Sequence, residues 1–220
     1  MIRVHHLNHS RSQRVLWLLE ELGLPYEIVR YERDRRTMLA PPELKRVHPL
    51  GKSPVVTDGA LVLAESGAIL ETLVERHGPQ LRPDPASPEF LRYRYWMHYA
   101  EGSLMPPLLL KLVFDQVEKA PLIVRPVAKA ISAKVKRRFI TPNLTQHLDF
   151  LEAELASGPW FAGQSFSAAD VQMSFPVEAA VARGGLDAKR PRLMDWLRRI
   201  HDRPAYRRAI DKGGPFEILG

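Results

Sequence analysis

The ten residues Pro79 to Pro88 (PQLRPDPASP) hold four prolines, and every strand signal in the chain lies before them. Proline has no amide to give to a helix or a ladder, so the stretch reads as a linker between two differently built halves. Upstream, residues 2 to 7 alternate loosely and read as a short strand. Ser10 to Gly23 carries Val15, Leu16, Leu18, Leu19 and Leu22 at helical spacing and is stopped by Gly23 and Pro25. Tyr26 to Tyr31 reads as a second strand, parallel to the first if the helix between them is a crossover. A short helical stretch opens at Pro41-Pro42 and runs to about Val47. Val55 to Thr57 and Leu61 to Ala64 make a hairpin around Asp58-Gly59, a pair that supplies the positive φ a tight turn needs. Another helix follows from about Ser66 to His77. Downstream, Phe90 to Leu104, Ile123 to Phe139, Thr141 to Ala156, Ala168 to Ala182 and Pro191 to Arg199 read as helices.

The order βαβ, helix, ββ, helix is that of an α/β thioredoxin-like unit, expected over residues 1–78. The linker spans 79–88, and an all-α helical bundle is expected over 89–220. Phe166-Ser167-Ala168-Ala169-Asp170-Val171 marks one helix start with a complete capping box: Ser167 and Asp170 satisfy each other's amides, and Phe166 and Val171 sit at staple positions. A helix whose first amides are served locally can be buried.

The 220 residues contain no cysteine, which excludes disulfides, thiolate metal sites and a cysteine nucleophile. Any thiol chemistry must use a borrowed thiol. The N-terminus lacks a signal-peptide layout, and the greasiest segment, Leu104 to Phe114, is broken by Pro106, Pro107 and Lys111. A cytoplasmic chain with no membrane partner is the expectation. The formal charge of +7 raises the question of nucleic acid or acidic lipid. Its one cluster, Lys134-Val135-Lys136-Arg137-Arg138, has no aromatic ladder beside it and reads as a solvated helix face. His5, His6 and His9 suggest a metal, but neighbouring strand residues point to opposite faces, so no metal site is expected.

Ser10 falls where the first strand gives way to a helix, near that helix's positive end. A hydroxyl there could bond a bound thiolate and lower its pKa, or could simply cap the helix. Ser12 competes for both roles. Ser53-Pro54 precedes a strand at once, where a cis bond would offer the residue-53 backbone to an extended ligand, although spacing leaves the isomer open. Glu65-Ser66 opens the next helix and could hold a carboxylate.

With these elements in register, the chain resembles the glutathione S-transferases. The resemblance rests on His48-Pro49-Leu50-Gly51-Lys52-Ser53-Pro54, Glu65-Ser66 and the Phe166 to Asp170 box. His6 to Ser12 and Trp96 to Ser103 are similar to the bacterial and fungal branch related to a yeast transferase. The resemblance implies glutathione as co-substrate, with Ser10 beside the thiol, Ser53 and Pro54 along the cysteinyl backbone, Glu65 and Ser66 at the γ-glutamyl end and Lys52 near the glycyl carboxylate. It implies conjugation to apolar electrophiles or reduction of organic hydroperoxides; the alternative is a non-catalytic glutathione-binding or protein-interaction module. His98 and Tyr99 are the candidates for the electrophile pocket, with Trp96, Met105 and Phe114 as further lining. A homodimer is expected, since the helix with Tyr93, Trp96, Met97 and Tyr99 has more apolar faces than one core needs, and Glu101 could reach the neighbour's glutathione.

Overall fold

The computed structural model describes residues 1–214, 216 and 218. Strands β1 (Ile2–Leu7), β2 (Tyr26–Tyr31), β3 (Val55–Asp58) and β4 (Leu61–Ala64) form one mixed sheet in the order β2-β1-β3-β4. β1 runs parallel to β2, with Val4 opposite Ile28, and antiparallel to β3, with Val4 opposite Val56. The β1–β2 crossover is α1 (Ser12–Leu22), closed by Gly23 at φ 63. That left-handed cap is the conformation glycine adopts without penalty. Gly59, at φ 58, opens the β3–β4 turn in the same way.

A helix against a sheet ordinarily buries one stripe, yet every residue of α1 from Ser12 to Glu20 is buried. The reason is that α1 lies between the sheet and two later helices, α7 (Ala168–Ala179) and α9 (Pro204–Gly213). Polar residues on it therefore need partners inside the protein. Glu20 accepts from Tyr26 at 2.7 Å and from Arg208 at 2.8 Å, and also pairs with Lys212.

Beyond α2 (Ser66–His77) the chain is helical: α3 (Pro88–Tyr99), α4 (Met105–Val117), α5 (Arg125–Val135), α6 (Thr141–Glu154), α7, α8 (Pro191–His201) and α9. Two of these differ from the sequence expectation. α4 forms although Pro106 and Pro107 begin it, because the turn before them is a π turn and not the regular α turn that their missing amides would have joined. α9 was not expected at all. The backbone absorbs the proline pair by widening into a π turn over Ala100–Leu104, so α3 and α4 make one continuous rod. A second π turn, Lys136–Ile140, joins α5 to α6 just before Pro142.

The capping box of α7 is closed, and the helix it starts is the most buried in the bundle. The Asp170 carboxylate accepts from Ser167 N–H at 3.0 Å, from Phe161 N–H at 3.0 Å and from the Trp196 indole at 2.9 Å. Phe166 packs against Trp17 and Trp160 and lies under the Arg203 guanidinium.

Tyr93, Trp96, Met97 and Tyr99 are all within the core of a single copy, at 6% exposure or less. This corrects the reason given for surplus apolar surface on that helix. The apolar groups it leaves outside are Leu91 and Tyr95, at 73% and 47% exposure.

Candidate active site

The C-terminal end of β1 is where the predicted residues meet. Ser53 donates to His5 O at 2.8 Å and accepts Leu7 N–H at 3.2 Å, which fastens the loop before β3 to the strand. The Ser53–Pro54 peptide is cis. On the other side of Leu7, the Ser10 hydroxyl donates to Leu7 O at 2.7 Å. Ser10 and Ser53 thus bracket one residue. Glu65 and Ser66 join this corner through the ladder, because Val55 pairs with both His5 and Ala64. Glu65 precedes α2 at φ 68, a left-handed backbone rare for a residue with a side chain, and such strain gathers at functional positions. Glu65 and Lys52 are exposed, while Ser66 is buried.

Ser10 is not the cap of α1; the helix starts one residue later, behind Arg11, without a side-chain cap. Its oxygen instead accepts Ser12 N–H at 3.3 Å and lies 2.8 Å from Ser12 Oγ, which sits 2.8 Å from His6 Nδ1. Sequence reasoning weighed His6 only as a metal ligand. Burial, with Arg30 adding to it, pushes its pKa down to about 4, so the ring is neutral at neutral pH and donates to the Gly213 carbonyl. The two serines are therefore held by an uncharged imidazole rather than by a base poised near pH 7.

The depressed pKa makes a measurable contribution to pH stability. The unfolded chain binds the His6 proton below about 6.5 and the folded chain only below about 4, so stability falls as pH drops through that window, by about 3 kcal/mol in all. Asp170, raised to about 6 by burial, takes up a proton across part of the same range with the opposite sign. The His6 share is read from the difference between wild type and His6→Asn in urea unfolding at pH 7 and pH 4.5. We expect the wild type to lose about 2 kcal/mol more than the variant; equal losses would show that His6 titrates normally.

Helices from the second half close the other side of this corner. Arg11 Nε donates to both Glu101 oxygens at 2.9 Å, and its guanidinium lies 4.9 Å from the centre of the Phe175 ring. Arg14, with its side chain 1% exposed, also pairs with Glu101 and donates to Gln172 Oε1 at 2.9 Å. Two arginines hold the Glu101 carboxyl below its ordinary range against the opposing effect of burial. Glu101 is thus tied to α1 of its own chain. It sits on the π turn that the Pro106-Pro107 pair requires. An arginine on an otherwise apolar helix face was the one signal in the sequence that could have found this clasp.

The two candidates for the electrophile side lie elsewhere in the packing. Tyr99 donates to or accepts from His147 Nδ1 and packs against Trp96 and Phe150, and His98 is exposed. Trp96 and Met105 are core residues at 1% and 4% exposure. Phe175 of α7, also buried, packs beside Arg11.

The fold has counterparts among known proteins. Residues 1–75 match the family model for the glutathione S-transferase N-terminal domain, and residues 132–199 match that for the C-terminal domain. The chain is 42% identical over 216 residues to glutathione S-transferase 3 of Schizosaccharomyces pombe, covering 96% of this chain and 88% of the relative. It is 34% identical to glutathione S-transferase 1 of Saccharomyces cerevisiae, covering 96% and 95%. Among solved structures, a glutathione S-transferase from Actinobacillus pleuropneumoniae superposes with a TM-score of 0.82 at 32% identity, over 99% of this chain and 95% of the other. A glutathione transferase homologue from Sulfitobacter, solved with bound glutathione, shares the fold at 22% identity and a TM-score of 0.76, over 97% and 98%.

Proposed function

Because this chain belongs to the glutathione S-transferase family, we propose that it binds glutathione at the end of β1 and holds its sulfur as a thiolate beside Ser10. The observation that carries the proposal is the bracketing of Leu7 by Ser10 and Ser53, next to the starts of α1 and α2. Helix starts favour negative charge, so the thiolate and the γ-glutamyl carboxylate each have a place of suitable potential. Ser53 and Pro54 would run beside the cysteinyl backbone, Glu65 and Ser66 would take the γ-glutamyl end, and Lys52 would lie near the glycyl carboxylate.

The chemistry this supports is electrostatic. A thiolate bonded by the Ser10 hydroxyl attacks an electrophilic carbon and expels its leaving group, or attacks a hydroperoxide oxygen, breaking the O–O bond to release the alcohol and leave glutathione sulfenic acid, which a second glutathione thiol converts to the disulfide and water. The protein lowers the thiol pKa and positions the partner molecule. We assign the electrophile to the space beside Phe175 and Arg11, with His98 and Tyr99 at most flanking it. Assembly as a homodimer fits the exposed Leu91 and Tyr95 on α3.

Isothermal glutathione titration followed by a panel of aryl halides, epoxides and cumene hydroperoxide tests the proposal. Binding with turnover supports it, and binding without turnover would leave a glutathione-dependent interaction module. Within the site, Glu65→Ala combined with Ser66→Ala is expected to raise the glutathione KM about tenfold or more, as charge-assisted bonds to a ligand carboxylate are lost, with kcat changed less than threefold. Steady-state kinetics with glutathione as the varied substrate reads both.

A further inference from the structure

From Lys119 to Leu148 the chain runs for thirty residues with seven Lys and Arg and no Asp or Glu. The whole chain's formal charge is +7, so the remaining residues carry twenty-five charges of each sign and are neutral as a set. All the excess charge therefore sits on α5, its π turn and the connection from α4. Among the described residues, Lys136 is the one cation of this segment that meets acids: it pairs with Glu118 at 2.7 Å and with Asp115, which also holds Lys111 at 2.8 Å. Lys119, Lys129, Lys134, Arg137 and Arg138 are exposed and have no ion-pair partner among the described residues.

The same segment holds a group of exposed aliphatic side chains. Leu122 and Ile123, at the tip between α4 and α5, are 76% and 94% exposed, and Val127 and Ile131 on α5 are 63% and 54% exposed. Val124, Val127 and Ile131 follow helical spacing and form one stripe. The tip lies about 30 Å along the α3–α4 rod from Tyr95, taking 1.5 Å per residue, so contacts through Leu91 and Tyr95 leave it uncovered.

We propose that this tip docks on an anionic phospholipid bilayer surface, with Leu122, Ile123, Val127 and Ile131 entering the acyl boundary and the lysines and arginines meeting the headgroups. A basic amphipathic helix preceded by a projecting aliphatic turn is the arrangement such a surface takes up. Nucleic acid would be met by several stacking aromatics, whereas the exposed apolar side chains here are aliphatic except Phe139. Docking differs from spanning: among the described residues no helix is long and apolar enough to cross a membrane. The sequence reading took the basic cluster for a solvated helix face with no membrane partner; the proposal departs from it because of the exposed aliphatic tip beside that cluster.

Co-sedimentation of the full chain with phosphatidylcholine vesicles, with and without phosphatidylserine, tests the proposal. Partition is expected to be at least tenfold stronger with phosphatidylserine and to weaken as salt is raised. Lys129→Gln, Lys134→Gln and Arg138→Gln together should lower it about 100-fold, each cation contributing about fivefold. Leu122→Ser with Ile123→Ser should lower it at least tenfold. All these positions are exposed, so circular dichroism and thermal unfolding should match wild type. Equal partition into both vesicle types, no partition at all, or wild-type partition by the serine pair would overturn the proposal. So would sedimentation showing that the serine pair turns a dimer into monomers, since the tip would then be covered by a second copy.

Discussion

Replacing Ser10 by alanine is expected to lower turnover about 100-fold, the scale on which one preorganised donor to a developing or resident anion acts, while glutathione affinity changes less than threefold. The hydroxyl donates to Leu7 O at 2.7 Å in the ligand-free arrangement. A thiolate is a charged acceptor and binds the same proton more strongly than a neutral carbonyl does. Rotation about one side-chain bond is then enough to transfer the donor, and it matters only while the sulfur is ionised. Ser12→Ala is the control, because Ser12 is fully buried and faces His6 Nδ1. It should cost about 1 kcal/mol of stability and leave turnover within threefold. Equal loss of affinity and turnover in Ser10→Ala would place thiol activation on another group.

The second large effect concerns the fold that carries the site. Asp170→Ala is expected to destabilise the protein by about 4 kcal/mol, because it leaves the buried Phe161, Ser167 and Trp196 N–H groups without an acceptor. That is a large share of the stability of an ordinary domain. Burial raises the Asp170 pKa and four hydrogen bonds from these groups and the Ser167 hydroxyl lower it, with burial the larger effect. Asp170→Asn separates charge from acceptor number: it removes the buried charge, keeps one oxygen for Phe161 and Trp196, and turns an amide toward Ser167 N–H. An intermediate loss in urea unfolding is expected for Asn. A loss below 1 kcal/mol for Ala would show that the box does not organise α7.

The parts of this structure legible in the sequence are those fixed by near neighbours. Gly23 ends α1, Asp58-Gly59 closes the hairpin, and Ser167 with Asp170 starts α7, each through contacts within a few residues. The same holds for the placing of Ser53, Glu65 and Ser66 at element junctions. α9 was missed because it is short and its apolar face narrow; Arg208 and Lys212 gain their meaning only against Glu20, nearly two hundred residues earlier. α4 was missed because two prolines look like a stop, when the π turn before them accommodates both. The orientation of Ser10 toward Leu7 and Ser12, and the Arg11–Glu101–Arg14 clasp, depend on groups brought together by the whole fold. The family resemblance supplied roles for the first site residues, whereas the electrophile side, tied to helix packing, was placed one turn away from Glu101.

The clasp also explains why the two halves of the chain matter to one reaction. Arg14 reaches Glu101 and Gln172 from the first turns of α1, so the helix start proposed to face the thiol is held by α7 and by the π turn at once. Movement of the helical half would shift Ser10 and Arg11 directly.

The most direct measurement is the ultraviolet absorbance of glutathione thiolate on the protein as a function of pH, for wild type and Ser10→Ala. A free thiol ionises near 8.5. Bound to the wild type it is expected to ionise with a midpoint below about 7, and in Ser10→Ala to move back by at least one pH unit, since one unit corresponds to about 1.4 kcal/mol of lost preference for the charged form. A bound thiol that titrates in the wild type as it does free in solution would contradict thiolate activation at the end of β1.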